Sequence, residues 1–420
     1  MKTYIANMRL MAPMFRLPWL IFAPVPSPPL PIEILSTIFA YIPPRIGPFD
    51  YNVGTSTLFN CSLVSRAWRA AALPLLWEHL HMGFDKNGTH EVLRQLTFSI
   101  TNSLPGAPQD HFHVLNLVKR ITLDSRRSVV PVVLPTTPSL NILQLFSPKQ
   151  LQEICLHYTR LNAELFSVIL PIVFPNLTRN LRHLKFYGVC ESGTDGDIVL
   201  QNLPATLASI RLVGDDHSKS IPASFSRVFA LPNLRNLALW HIDFIQPQEL
   251  EQALRAWGPC FRSLDITHCR NLFRDSVVRA LADHCPNLVS LELAIYPGCP
   301  NVYQDITDVT LCRLVDSCPD LATLRLRGVR GVSDAFLVRC ASRARAMRCL
   351  RVYDPQLWAT GKGVLAVRAW GRMKELEIMR GGFIDEDIEM DEGFVSAVEE
   401  MAEGMTLCRL GKREIVPRCQ

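Results

Sequence analysis

Apolar residues recur along most of this chain in one short pattern, L-x-x-L-x-L, whose first residue returns at a nearly constant interval. The pattern reads LRHLKF at Leu181, LASIRL at Leu207, LRNLAL at Leu234 and FRSLDI at Phe261. It continues as LVSLEL at Leu288, LATLRL at Leu321, MRCLRV at Met347 and MKELEI at Met373. The intervals are 26, 27, 27, 27, 33, 26 and 26 residues. Looser copies at Val118 (VKRITL) and Leu151 (LQEICL) extend the series toward the N terminus. Side chains on a strand alternate between two faces, so the fourth and sixth residues of each copy turn inward together. One copy cannot cover that apolar edge alone, so copies are expected to stack and share a core.

A period of this length, with a strand and a helix or turn in each unit, is that of leucine-rich repeats. The connecting segments support it. After Asp275 or Ser276 as a helix cap, Val277, Val278, Leu281 and Ala282 fall on one helical face, and Cys285-Pro286 ends the element. Asp308, Leu311, Leu314, Val315 and Cys318-Pro319 repeat the plan, and Gly331–Val352 does so a third time without the proline. These stretches resemble the cysteine-containing class of leucine-rich repeats. That accounts for most of the 13 cysteines, which include no C-x-x-C pair and sit mainly inside apolar patterns. They read as reduced, buried thiols of an intracellular protein rather than as disulfides or metal ligands.

Solenoids of this kind bind with their concave surface. The outward strand positions are the third, fifth and seventh of each copy. They read His183, Lys185, Tyr187; Ser209, Arg211, Val213; Asn236, Ala238, Trp240; and Ser263, Asp265, Thr267. Next come Ser290, Glu292, Ala294; Thr323, Arg325, Arg327; Cys349, Arg351, Tyr353; and Glu375, Glu377, Met379. No leucine falls on this list. The charge alternates along it: basic, acidic at Asp265 and Glu292, basic at Arg325, Arg327 and Arg351, then acidic. Trp, Tyr and Arg are enriched at protein interfaces. The candidate target-binding residues are therefore Tyr187, Arg211, Trp240, Asp265, Glu292, Arg325, Arg327, Arg351 and Tyr353. A solvated sheet face carries polar residues in any case, and that plainer reading stands beside the first.

Ahead of the array lies LPIEILSTIFAYIP (Leu30–Pro43), where Ile34, Leu35, Ile38, Phe39 and Ile42 recur at helical spacing behind Pro31. A stretch rich in Pro and Gly follows, then Leu58, Cys61, Leu63, Val64, Ala67, Trp68 and Ala71 in a second amphipathic helix. A third short element is expected from Leu73-Pro74 to about Trp77. The pairing of LPIEILSTIFAYI with CSLVSRAWRAAALPLLWEHL resembles the F-box, over about Leu30–Met82, and the layout resembles the F-box/leucine-rich-repeat family. The segment Pro43–Thr57 is longer than that family's usual connection.

The resemblance implies an α/β protein: a small all-α F-box of three helices, followed by a leucine-rich-repeat solenoid with a curved parallel sheet and outer helices. It implies docking on a Skp-type adaptor and, through it, on a cullin–RING ubiquitin ligase. Carried over by motif, Leu30, Pro31, Ile34, Leu63, Val64 and Trp68 would meet the adaptor, with Trp68 partly structural. A module this small has a marginal core, and extra apolar surface is plausibly completed by a partner. The alternative is that these residues only pack onto the first repeat. The implied division is 1–28 leader, 29–82 F-box, 83–115 linker or first solenoid unit, 116–405 solenoid and 406–420 C-terminal tail.

Composition narrows the function further. At 420 residues the chain exceeds a single compact core, and a net charge of +5 implies no nucleic-acid partner. The first 32 residues carry Lys2, Arg9 and Arg16 and no acid, the bias of a targeting segment, but prolines and Arg16 break every apolar run short of a membrane span. No G-x-S-x-G, H-E-x-x-H or P-loop occurs. GKGVLA (Gly361–Ala366) fits G-x-G-x-x-A without a preceding strand, and HLH at His79 and HFH at His111 lack companion ligands. The reading is a non-catalytic, cofactor-free, cytoplasmic or nuclear substrate receptor of an SCF-type ubiquitin ligase. The alternative is a leucine-rich-repeat scaffold acting outside the ligase.

Overall fold

The computed structural model describes residues 30–41, 53–83, 117–124, 151–157, 180–189, 194–214, 223–295, 306–329, 332–354, 366, 374–380, 407–410 and 413–415. The leader, most of the Pro43–Thr57 segment, His111, Gly361–Leu365 and the acidic run Phe383–Gly393 lie outside these residues. The chain forms two compact units. One holds residues 1–157 and 161–180, the other residues 158–160 and 181–420.

The first unit opens with three helices, α1 (Ile32–Ala40), α2 (Val53–Ser62) and α3 (Arg66–Trp77). The expected second helix is thus broken at Leu63–Ser65. Ser65 is extended and its hydroxyl accepts from the Trp68 N–H at 3.2 Å, so a new helix starts there. Pro74 lies inside α3 rather than opening a third element. Pro31 stands one residue ahead of α1, and its carbonyl accepts from the N–H groups of Ile34 and Leu35 at 3.1 Å. A small core joins the helices: Leu35, Phe39, Ala71 and Ala72 are buried, with Leu58, Cys61, Ala67, Trp68 and Leu75 packed against them.

Helix α3 leads through Glu78 into β1 (His79–Gly83), which pairs in parallel with β2 (Arg120–Asp124), itself parallel to β3 (Glu153–His157). The Glu78 carbonyl accepts from Lys119 and Arg120 at 2.9 Å, and its carboxylate stands 3.6 Å from Arg120. The Nε2 of His79 is 2.8 Å from the Thr122 hydroxyl.

The second unit is the regular array. Strands β4 (His183–Tyr187), β5 (Ser209–Val213), β6 (Asn236–Trp240), β7 (Ser263–Thr267), β8 (Ser290–Ala294) and β9 (Thr323–Arg327) run in parallel, each beside the next in sequence. They continue into β10 (Cys349–Asp354), β11 (Glu375–Arg380) and β12 (Leu407–Leu410), and β13 (Arg413–Ile415) closes antiparallel on β12. Between strands lie α4 (Thr194–Gln201), α5 (Ser226–Phe229), α6 (Pro247–Trp257), α7 (Asp275–His284), α8 (Asp308–Ser317) and α9 (Asp334–Arg343). Periodicity announces neither β1 nor the β12–β13 pair.

Leu264, Leu291, Leu324 and Leu350 are register partners in one buried row, and Ile266, Leu293, Leu326 and Val352 in the next. All are at most 1 % exposed, and burying one such side chain contributes roughly 1.5–3 kcal/mol. Cys269, Cys285, Cys318 and Cys340 are buried thiols inside the array. The Cys285 thiol donates to the Leu254 carbonyl at 3.7 Å and Cys318 to that of Cys285 at 3.4 Å. Burial pushes the Cys285 and Cys318 thiols up to about 12, and they act as small apolar fillers.

Asp275 does not cap its own helix. It accepts from the Thr307 N–H at 2.7 Å and the Thr307 hydroxyl at 2.9 Å, one repeat further on. Asp308 does the same for Ser333, at 3.2 and 2.6 Å. Thr307 and Ser333 in turn cap α8 and α9, so each helix start is fixed by the previous one. A left-handed residue follows several strands. At Gly328 (φ 74°) a Cβ would lie 2.7 Å from the Ile295 carbonyl oxygen, which requires glycine. His241 and His268 adopt φ 56° at the matching place, and their rings stack at 4.6 Å.

Candidate functional site

Two surfaces carry the candidate residues, one in each unit. In the first, α1 presents two adjacent apolar stripes. Leu35 and Phe39 turn inward, and Phe39 meets Trp68 edge-to-face at 5.3 Å. Leu30, Ile34, Ile38 and Tyr41, spaced four, four and three residues apart, form the second stripe. That stripe is bare: Ile34 is 46 %, Ile38 49 % and Tyr41 83 % exposed. Leu63 and Val64, in the break between α2 and α3, are 69 % and 62 % exposed. Their carbonyl partners are one turn back, Leu63 N–H to Asn60 and Val64 N–H to Cys61 at 3.1 and 3.2 Å, so backbone order holds the two side chains out.

Of the six residues singled out for the adaptor, Leu30, Pro31, Ile34, Leu63 and Val64 are thus exposed, while Trp68 is half-buried against Phe39. The motif reading missed Ile32, Ile38 and Tyr41, which are as bare as the residues it named. The helical spacing from Ile34 to Ile38 was the available signal.

In the second unit the polar face of the sheet falls into three lanes. Third positions align as Ser209, Asn236, Ser263, Ser290, Thr323 and Cys349. Fifth positions align as Lys185, Arg211, Ala238, Asp265, Glu292, Arg325, Arg351 and Glu377. Seventh positions bring Tyr187, Val213, Trp240, Thr267, Ala294, Arg327 and Tyr353 into line. Charge is concentrated in the middle lane and the aromatic rings in the last.

Most of these charges already have partners across the strands. Arg325 donates to Glu292 at 3.2 Å, and Arg351 stands 3.0 Å from Glu375 and 3.7 Å from the buried Glu377. The Cys349 thiol donates to Glu375 at 3.2 Å. That bond, with the Arg351 contact, holds the Glu375 carboxyl below its usual range despite some burial. Arg327 lies over the Tyr353 ring at 5.6 Å, and Arg211 over the Trp240 indole at 4.9 Å. Trp240 donates through Nε1 to Asp265 at 2.8 Å, and the Thr267 hydroxyl donates to the other Asp265 oxygen at 2.9 Å. Burial pushes the Asp265 carboxyl up, the Trp240 bond opposing it and Glu292 adding to it. Eight of the nine target-face candidates therefore fall into four linked groups: Arg211–Trp240–Asp265, Glu292–Arg325, Arg327–Tyr353, and Arg351 with Glu375 and Glu377. Sequence separations of 24 to 33 residues hid every one of these pairs except that of Asp265 with Thr267.

Residues 29–83 match the F-box-like family model. The N-terminal module is thus F-box-like, and the array behind it follows a plan of one parallel strand and one helix per unit. No curated protein matches this chain. Among solved structures, it is similar to a chain of the Rad7 and Elc1 complex in yeast, at 14 % identity and TM-score 0.47, covering 88 % of this chain and 96 % of that one. It is also similar to the leucine-rich-repeat-containing protein LegL7 from Legionella pneumophila, at 14 % identity, TM-score 0.43 and coverage of 77 % and 97 %. An internalin (inlF) from Listeria monocytogenes follows, at 14 % identity, TM-score 0.36 and coverage of 76 % and 74 %. Among the described residues, no group of three or more His, Cys, Asp or Glu could hold a metal. Nor is any described helix long and apolar enough to cross a membrane.

Proposed function

We propose that this protein is the substrate-recognition subunit of an SCF-type E3 ubiquitin ligase, with the F-box docking on a Skp-type adaptor and the repeat array holding the target protein. The observation that carries the reading is the bare apolar stripe of α1, together with Leu63 and Val64, on a module whose other stripe is already packed. A short three-helix unit exposing this much branched apolar surface is incomplete in water, and an apolar partner face completes it. Leu30, Pro31, Ile34, Leu63 and Val64 make the adaptor contact, joined by Ile38 and Tyr41, while Trp68 supports them from behind through Phe39. The polar face of the array supplies the second contact, and the protein performs no chemistry of its own. It works in the cytoplasm or nucleus, with 29–82 as the docking module and 116–405 as the recognition array.

The test is capture by a purified Skp-type adaptor. Wild-type chain is expected to be retained together with cullin, and the Leu30/Pro31/Ile34 triple alanine variant to be lost. Retention of the triple variant would sink the site assignment. Adaptor binding that never brings cullin with it would favour a scaffold outside the ligase.

A further inference from the structure

We infer that Arg211 is a pre-positioned anchor for a carboxylate of the target, and that the target segment seated there is acidic and carries an apolar residue beside the acid. The inference deepens the receptor reading and rests on it. Its starting point is local charge. On β4, β5 and β6 the polar-face positions contain Lys185 and Arg211 and no acid. Among the described residues no carboxylate stands within ion-pair distance of Arg211, whereas Arg325 has one at 3.2 Å and Arg351 has two, at 3.0 and 3.7 Å. The next acid along the lane, Asp265, feels the Arg211 charge but lies two strands away, beyond ion-pair distance, and both its oxygens are engaged, by Trp240 at 2.8 Å and Thr267 at 2.9 Å.

Those same bonds hold the anchor in place. Thr267 fixes Asp265, Asp265 fixes the Trp240 indole, and the guanidinium of Arg211 lies on that indole at 4.9 Å. With no described carboxylate on it, the guanidinium keeps its N–H fork available, and that fork matches a carboxylate in two parallel bonds. The little conformational freedom left to lose favours binding. In the seventh lane Val213 and Trp240 are adjacent, which gives the neighbouring residue of the target an apolar seat. Trp240, Asp265 and Thr267 are positioning residues, and Arg211 makes the contact.

Three fluorescein-labelled twelve-residue peptides test this on the full chain by fluorescence polarisation. They share a sequence with alternating apolar residues and differ only in carrying Glu, Gln or Lys between them. The Glu peptide is expected to bind at least about tenfold more tightly than the other two, corresponding to roughly 1.4 kcal/mol. Arg211→Gln should remove that preference and flatten its salt dependence. Arg211→Lys, which keeps the charge without the fork, should retain only part of it and decides the matter if the Gln variant fails to fold. Equal binding of the three peptides, or an unchanged preference in Arg211→Gln, overturns the proposal. So does a twelve-nucleotide single strand that binds as tightly as the Glu peptide, which would mark a general polyanion surface. Adaptor capture is read on the same preparations. Acid-selective binding without capture removes the receptor reading and leaves the anchor, and capture without acid selectivity does the reverse.

Discussion

The F-box helices and the polar face of the repeat sheet hold their exposed side chains in opposite conditions. On α1 one whole stripe of exposed residues is apolar, with no described neighbour completing it, and its bareness sits on a thin core. On the sheet the exposed residues are charged or aromatic, and most are already tied to a neighbour on the next strand. Water penalises the first surface continuously, so burying it gives affinity with little demand on the partner's detail. The second gains from a partner only where the partner's groups match or replace existing pairs, which makes it selective rather than adhesive. Under the proposed function, the first surface serves as a constant docking plug and the second as a discriminating face.

The comparison can be pressed first through the array's interior. Leu264→Ala removes a side chain with no exposure from the row shared by β6, β7 and β8, and should cost about 2–5 kcal/mol in urea unfolding. A loss under about 1 kcal/mol would show that the rows do not share one packed core. On the docking side, Ile34→Asp should weaken adaptor binding by about 2 kcal/mol or more while changing stability by no more than about 0.5 kcal/mol. A comparable loss of stability would mean that the stripe belongs to the fold rather than to a partner.

Arg351→Ala is the matching change on the polar face. It removes the contacts to Glu375 at 3.0 Å and to the buried Glu377 at 3.7 Å, and should destabilise by roughly 1–3 kcal/mol with adaptor binding unaffected. The smallest effect is in pH. Asp265 is pushed up by burial, so its folded form favours the proton. Its penalty is present at pH 7 and relaxes as pH falls through the raised value toward 3.8. Glu375 is held down by Cys349 and Arg351, so its contribution is present above 4.5 and is lost as pH falls below it. The stability difference between wild type and Asp265→Asn should therefore move in wild type's favour on acidification, and that for Glu375→Gln against it. Urea midpoints at pH 7 and pH 4 check both signs, and like signs would contradict the assigned causes.

The repeat plan was legible because each unit writes the same demand into its own six residues, and strand alternation needs no distant information. That is why Leu184 to Leu350 fall inward and the three polar lanes emerge in the order in which they were read. The helix breaks were less legible. Leu63, Val64 and Ala67 fit a helical stripe as well as they fit a loop, and only the Ser65 hydroxyl bond to Trp68 decides where α2 ends. Asp275 looked like a cap for its own helix, and its carboxylate instead orders Thr307 on the next.

By itself the sequence determined the period, the inward rows, the buried thiols and the presence of an apolar helix ahead of them. All of these follow from neighbours within one turn or one strand. The tertiary structure decided which stripe of that helix stays bare, because burial depends on where α3 lies. It also decided which charges of the face are spent on one another, because Coulomb attraction acts across strands about 4.8 Å apart and takes no account of the 24 to 33 residues of chain between them.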